Sequence, residues 1–121
     1  MAIDFAITDR RLDDATHVVA VTGEIDLFTA PEFKQRVSAP IDAGSSNVVV
    51  DLTGTTFIDS SSLGVLIGAH RRLRSQGGRL VVACADEAIV KTFRITGLDG
   101  VFTLVPSVEA ALAEGSAAEA A

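Results

Sequence analysis

The segment between Val48 and Leu73 constrains the fold most, because a strand pattern passes there directly into a helix pattern. Its first part, Val48 to Leu52, is nearly all apolar and rich in β-branched residues, which is typical of a strand buried on both faces of a parallel sheet. After a polar stretch, the spacing of three and four that marks one helix face connects Leu63, Leu66, Ile67, His70 and Leu73. The segment therefore predicts an α/β class of fold.

The junction between this strand and this helix has strong capping chemistry. Asp59 is expected to be the N-cap, because its carboxylate can accept hydrogen bonds from the amides of Ser61 or Ser62. Ile58 and Leu63 stand at the two positions of a hydrophobic staple, which would fix how the chain enters the helix. The helix is thus predicted to begin directly after Asp59.

Ser60 falls on the first residue of this helix, with its hydroxyl expected at the helix mouth. A helix mouth presents unpaired N–H groups and a partial positive charge, so it tolerates an added anion. Three consecutive serines there suggest a phosphorylation switch, but plain helix capping explains the same residues. From the junction alone, capping is the favoured interpretation.

Length and composition limit the classes of protein. The 121 residues suffice for one domain, expected at 1–113 with a flexible C-terminal tail at 114–121, and an apolar share of 48% excludes a mainly disordered chain. A net charge of −6 disfavours nucleic acid as a direct partner, and no apolar run is long enough to span a membrane. A single cysteine, Cys84, excludes an internal disulfide, and we expect a cytoplasmic protein.

The rest of the chain predicts a mixed sheet of about five strands with about four helices. Four more strands are expected, at Ala2–Ile7, His17–Thr22, Leu80–Ala83 and Val101–Val105. Three more helices are expected: one that begins near Thr29, one that Asp86 caps and Gly97 ends, and one at Val108–Ala113.

The first of these helices has its own start and stop signals. Thr29 and Glu32 have the spacing of a capping box, and Phe28 and Phe33 stand at staple positions. Pro40 is expected to interrupt or end the helix, because it lacks an N–H group.

Two acids, Glu24 and Asp26, follow the second strand as the serine turn follows the central one. If the two strands are neighbours in the sheet, both turns lie at the same edge, where open α/β sheets present their sites. Ordinary polar turn residues would explain these acids equally well, and the sequence leaves both interpretations open.

No catalytic or metal-binding motif is complete. The segment before the serine-bearing helix does not match a phosphate-binding loop, because it has no lysine. It does not match a nucleophile elbow around Ser62 either, because Ser60 stands where the first glycine is required. His70 is expected near the far end of the serine-bearing helix, too far away to act as a base, and His17 is expected at the surface. Cys84 alone has no metal-ligand spacing. The sequence therefore predicts no enzyme, no cofactor and no metal.

Three segments together resemble the STAS domain, which bacterial anti-sigma-factor antagonists share with the cytoplasmic tails of sulfate transporters. They are GEID at Gly23–Asp26, DLTGTTFIDSSSLGVL at Asp51–Leu66 and FRITGLDGVFTL at Phe93–Leu104. The resemblance extends from about Ile3 to Leu112 and implies the STAS fold.

The resemblance also implies a binding module that phosphorylation controls. In the antagonists, the serine after the aspartate is phosphorylated by an anti-sigma-factor kinase; it corresponds to Ser60, with Ser61 as the second choice. The unphosphorylated form binds the anti-sigma factor and frees the sigma factor, and a serine phosphatase resets this partner switching in transcription and stress response. The partner-binding residues implied here are Glu24, Asp26, Asp59, Ser60, Ser61, Ser62 and Leu63.

The chain departs from the family pattern at Ser62, where the antagonists usually have glycine. A hydroxymethyl group is expected there to add bulk at the helix mouth that a partner approaches. Two other functions stay open: an unphosphorylated STAS scaffold subunit of a signalling or transport complex and, in a different class, a serine hydrolase at Ser60–Ser62.

Overall fold

The computed structural model describes residues 5–113. The residues that precede and follow this range, including the predicted tail at 114–121, lie outside the described part. The elements in chain order are β1 (Ala6–Arg11), β2 (Thr16–Ile25), α1 (Ala30–Asp42), β3 (Asn47–Ile58), α2 (Ser60–Ser75), β4 (Arg79–Ala83), α3 (Glu87–Ile95), a 3₁₀ turn (Leu98–Gly100), β5 (Thr103–Val105) and α4 (108–113).

The five strands form one mixed sheet in the order β1-β2-β3-β4-β5. β1 and β2 are an antiparallel pair, and the other neighbours are parallel. This arrangement, with its helices, confirms the predicted α/β class and the mixed sheet of about five strands with about four helices. Within residues 5–113, no helix has both the length and the apolar character that a membrane span requires.

The central strand β3 is buried on both faces, as its composition predicts. Val48 and Val50 belong to the larger core, which α1, α2 and α3 cover, whereas Val49 belongs to a smaller core with Ala111 of α4. All four side chains have no measurable exposure. Helices on both faces explain why this run does not alternate with polar residues.

β3 and its neighbour β2 extend well beyond their predicted ends. The polar stretch after Leu52 continues β3 to Ile58, and β2 continues past Thr22 to Ile25. Backbone pairing between the two strands makes this extension favourable, and Thr55 adds a buried hydrogen bond from Oγ1 to the carbonyl of Val21 at 3.0 Å. Polar composition had suggested a turn, but parallel pairing decides the conformation.

The two outer strands also differ from the prediction. β1 extends to Arg11, beyond its predicted end at Ile7, because residues 8–11 pair with β2 as far as His17 and leave their charges in solvent. β5 begins at Thr103 instead of Val101, since the N–H of Val101 bonds to Leu98 in the 3₁₀ turn.

The start of α1 contradicts two predictions. Thr29 is the N-cap, but its side chain makes no cap bond, so the predicted capping box with Glu32 is absent. Phe28 is 88% exposed while Phe33 is fully buried, so they form no staple. The helix also continues through Pro40 to Asp42, because only one intrahelical hydrogen bond is lost so close to its end.

The start of α3 agrees with the prediction. The Asp86 carboxylate accepts hydrogen bonds from the amides of Ala88 at 2.8 Å and Ile89 at 3.3 Å. Gly97 has a φ of +77° directly beyond the helix, the left-handed conformation that closes a helix.

Candidate functional site

Two loops meet at the carboxyl edge of the sheet, because β2 and β3 are parallel neighbours that end together. Ile25, at the end of β2, pairs with Ile58 at the end of β3. The next residues, Asp26 and Asp59, therefore follow neighbouring strand ends. The two strands are neighbours in the sheet, so both segments lie at the same edge, as the sequence analysis required. Ser62 links the loops directly, since its Oγ donates a hydrogen bond of 2.6 Å to the carbonyl of Ile25.

Asp59 caps α2 as predicted. Its Oδ1 accepts hydrogen bonds from the amides of Ser61 at 3.0 Å and Ser62 at 3.3 Å. In return, the Asp59 amide donates to the Oγ of Ser62 at 3.2 Å, which completes a capping box. The Ser61 hydroxyl and these amides hold the pKa of the Asp59 carboxyl below its ordinary value, against the opposing effect of burial.

The three serines of α2 differ in what their hydroxyls can do. Ser60 is exposed, and among residues 5–113 no hydrogen-bond partner is found for its hydroxyl. The Ser61 hydroxyl is half-buried and donates to the Asp59 carboxylate at 2.5 Å. The Ser62 hydroxyl is completely buried between the two loops. Ser60 is thus the serine that an outside molecule reaches most easily.

The burial of Ser62 overturns one expectation from the sequence. Its side chain points inward to Ile25, so it adds no bulk to the surface at the helix mouth. Leu63 is only 7% exposed and packs in the core with Ile58. Ser62 and Leu63, which were expected to contact a partner, are therefore buried and support the site from inside the fold.

Asp26 organises the loop between β2 and α1. Its Oδ1 accepts hydrogen bonds from the amides of Phe28 at 2.9 Å and Thr29 at 3.1 Å, and its amide donates to the Oγ1 of Thr29 at 2.8 Å. Thr29 Oγ1 in turn donates to the carbonyl of Glu24 at 3.1 Å. Asp26 thus has a structural role, while Glu24 is an exposed residue of β2 itself, not of a turn.

This loop exposes two residues that the sequence did not assign to the site. Leu27 is 70% exposed and Phe28 is 88% exposed, in the loop that follows β2. The sequence signal was two consecutive large apolar residues directly after Asp26. It was missed because the staple interpretation had placed Phe28 against the core.

The geometry gives the serines no histidine base. His70 lies ten residues after Ser60, roughly 15 Å along the helix, and stacks edge-on against Phe102 at a centroid distance of 5.4 Å. His17 pairs with Val48 near the opposite edge of the sheet. Its side chain is only 15% exposed, beside Asp9, so the expected surface position is wrong. In the part of the chain that the structure describes, no group of three metal-ligating side chains occurs.

Comparison with known proteins agrees with the fold. The model of the STAS domain family matches residues 7–111, and the chain belongs to this family. It is 32% identical over 105 residues to an anti-sigma-B factor antagonist of Listeria monocytogenes, covering 86% of this chain and 90% of that protein. It is 29% identical over 86 residues to an anti-sigma-B factor antagonist of Bacillus subtilis, covering 71% of this chain and 78% of that one.

A solved structure has the same architecture. The crystal structure of an anti-sigma factor antagonist from Mycobacterium paratuberculosis superimposes with a TM-score of 0.84 at 29% sequence identity. The match covers 92% of this chain and 93% of that chain. The family resemblance inferred from the three sequence segments is therefore confirmed.

Proposed function

We propose that this chain is an anti-sigma-factor antagonist whose binding is switched off by phosphorylation of Ser60. The unphosphorylated form binds an anti-sigma factor that is also a serine kinase, and the sigma factor is released. A serine phosphatase restores the binding form. The observation that carries the proposal is the difference among the serines: Ser60 is exposed at the helix mouth, whereas the hydroxyls of Ser61 and Ser62 are engaged. The names of the relatives support the antagonist role.

The electrostatics of the site suit a switch that changes binding more than folding. A phosphoserine carries a charge of about −1.5 to −2, and it would stand beside the Asp59 carboxylate. Two unit charges ~4 Å apart repel by roughly 1 kcal/mol in water and ~4 kcal/mol at an effective dielectric constant near 20. The positive end of the α2 dipole stabilises the added negative charge by about 0.3–1 kcal/mol, up to ~2 kcal/mol in favourable geometry. Ser60 is exposed, so the value in water is the relevant one, and the helix mouth offsets part of the repulsion. The main cost then falls on desolvating the dianion against a partner.

The proposal includes a cytoplasmic location and no direct contact with nucleic acid or membrane. The net charge of −6 supports the first of these exclusions. The regulatory effect on transcription then passes entirely through protein–protein contact.

Phosphorylation is tested by mass spectrometry after incubation with ATP and each purified anti-sigma-factor kinase encoded in the same genome. We expect one added phosphate, located on Ser60 by fragmentation, and none in Ser60→Ala. Ser61→Ala is the matched control and should be phosphorylated like the wild type. A phosphate on Ser61 would move the site by one residue, and no phosphate with any kinase would favour the unphosphorylated scaffold.

Binding to the same kinases tests the switch itself. Ser60→Ala should bind the cognate anti-sigma factor like the unmodified protein, while Ser60→Asp should bind at least about tenfold more weakly, since ~1.4 kcal/mol of desolvation cost is a factor of ten. Equal affinity of the two variants would contradict the proposed switch.

A further inference from the structure

Leu27 and Phe28 form an apolar tip between β2 and α1, named here the Leu27–Phe28 tip. Their side chains are 70% and 88% exposed, so they contribute little to the core. We propose that this tip inserts into an apolar pocket of the anti-sigma factor, so that one partner surface covers both the tip and Ser60. The inference rests on the proposed function and adds the contact that supplies much of the affinity.

The exposure of the tip contributes nothing to the packing of the core. Phe33, at the position where a staple would have paired it with Phe28, is completely buried without that contact. Single exposed apolar residues are common on protein surfaces, but two adjacent large ones at a projecting loop are the kind of feature that interfaces use. Buried aromatic side chains at the centre of an interface often dominate its binding energy.

Hydrogen bonds fix the conformation of the loop that carries the tip, which lowers the cost of binding. The Asp26 carboxylate accepts from the amides of Phe28 at 2.9 Å and Thr29 at 3.1 Å. Thr29 Oγ1 donates to the carbonyl of Glu24 at 3.1 Å, which ties the far side of the loop to β2. A loop already ordered in its binding conformation loses less entropy when a partner covers it.

The tip also has a defined position relative to the phosphorylation site. It begins two residues after Ile25, which pairs with Ile58 and accepts the Ser62 hydrogen bond at 2.6 Å. Ser62 therefore connects the backbone below the tip to the helix that begins at Ser60. A partner that covers both loops would have to desolvate a phosphate on Ser60, so phosphorylation would oppose the apolar contact.

The charges of the two loops indicate the chemistry of the pocket that receives the tip. The charged residues of segments 23–29 and 57–63 are Glu24, Asp26 and Asp59, all of them acids. An apolar pocket with a basic rim is the complementary surface. A second copy of this chain fits poorly, because a two-fold contact would bring the same acids of both copies together.

A tryptophan reporter tests insertion directly, because the chain contains no tryptophan and no tyrosine. The emission of Phe28→Trp should shift to shorter wavelength when a saturating amount of the purified cognate kinase is added, with the wild-type mixture as the blank. Ile95→Trp is the matched control, since Ile95 is 72% exposed at the end of α3, towards the opposite edge of the sheet. An unshifted spectrum for Phe28→Trp in the bound state would overturn the inference.

Alanine variants measure how much the tip contributes. Leu27→Ala and Phe28→Ala should each lower the affinity for the kinase by about tenfold or more, while Ile95→Ala should stay within about twofold of the wild type. All three should unfold at the wild-type temperature, because the side chains are exposed. Phe28→Ala should also raise KM for phosphorylation of Ser60 and leave kcat unchanged at saturation.

The outcomes separate this inference from the proposed function. If Ser60→Asp loses binding while Phe28→Ala binds like the wild type, the proposed function stands and the tip is not a contact. If the wild type binds none of the kinases, or Ser60→Asp binds as tightly as the wild type, the proposed switch fails and the inference fails with it. A wild-type dimer that Phe28→Ala dissociates, with kinase affinity unchanged, would instead assign the tip to a second copy.

Discussion

Ser62 joins the two loops of the site through a single hydroxyl group. Its Oγ donates to the carbonyl of Ile25 and accepts from the amide of Asp59, and it is completely buried. The sequence marked this residue as a departure from the family glycine on the partner-facing surface. The structure shows instead that the hydroxyl bonds to two backbone groups, one from each loop.

Ser62→Ala should therefore destabilise the protein. The buried hydrogen bond to the Ile25 carbonyl and the half-buried one from the Asp59 amide are both lost, and we expect the free energy of unfolding to fall by about 1–3 kcal/mol. Urea denaturation measures this loss, with Ser60→Ala as the control, because the Ser60 hydroxyl is exposed and unengaged. Equal stability of the two variants would show that the link between the loops carries no energy.

Asp59 gives the stability of the site a predictable dependence on pH. Its pKa is lowered in the folded state, chiefly by the hydrogen bond from the Ser61 hydroxyl, with further help from the amides of Ser61 and Ser62. A carboxyl with a lowered pKa stabilises the fold above its unfolded pKa, which is about 3.9 for Asp. This contribution is lost as the pH falls below that value through the folded pKa.

Asp59→Asn should remove this part of the acid sensitivity. Asparagine can still accept from the amides at the helix start, so the stability at pH 7 should change little while the loss of stability below about pH 4 becomes less steep. Urea denaturation at a series of pH values from 7 down to 2.5 measures the slope. Parallel curves for the variant and the wild type would contradict the assigned role of Asp59.

At the scale of the secondary-structure elements, the loop between α2 and β4 passes very close to the backbone that precedes β3. Gly78 lies where an added Cβ atom would overlap the carbonyl oxygen of Ser46 and come within 3.2 Å of Leu73 Cδ2. The amide of Arg79 also bonds to Ser46 at 2.8 Å, which fixes this backbone close to the start of β3. The end of α2 opposite Ser60 is therefore set by a close approach that only glycine allows.

Gly78→Ala should destabilise the fold by about 1–3 kcal/mol, because the clash is with a backbone atom that cannot rotate away. Gly68→Ala, within α2, is the control, since a Cβ there meets open space. That change should leave the stability unchanged or raise it by roughly 0.5–1 kcal/mol, the usual difference between the two residues in a helix. Thermal unfolding measures the stability of both variants relative to the wild type. A Gly78→Ala protein as stable as the wild type would contradict the close approach.

Local sequence patterns predicted which helices and strands form better than they predicted where each one ends. The buried β3 and the Asp59 and Asp86 caps were predicted correctly, because apolar periodicity and capping chemistry act within a few residues. The extension of β3 through Ile58 was not predicted, because its cause is pairing with β2, more than thirty residues earlier in the chain.

For the whole molecule, the sequence determined the class of fold, the STAS resemblance and the helix start that carries Ser60. These depend on periodicity and on a motif whose residues are close together in the chain. Only the tertiary structure decided which hydroxyls are engaged, because the partner of Ser62 is the carbonyl of Ile25, at the end of a different strand. It likewise decided that Phe28 faces solvent, since Asp26 and Thr29 order the loop in a way that turns this side chain away from the core. Burial and hydrogen-bond partners of this kind arise from strands brought together by the sheet, and spacing along the chain does not reveal them.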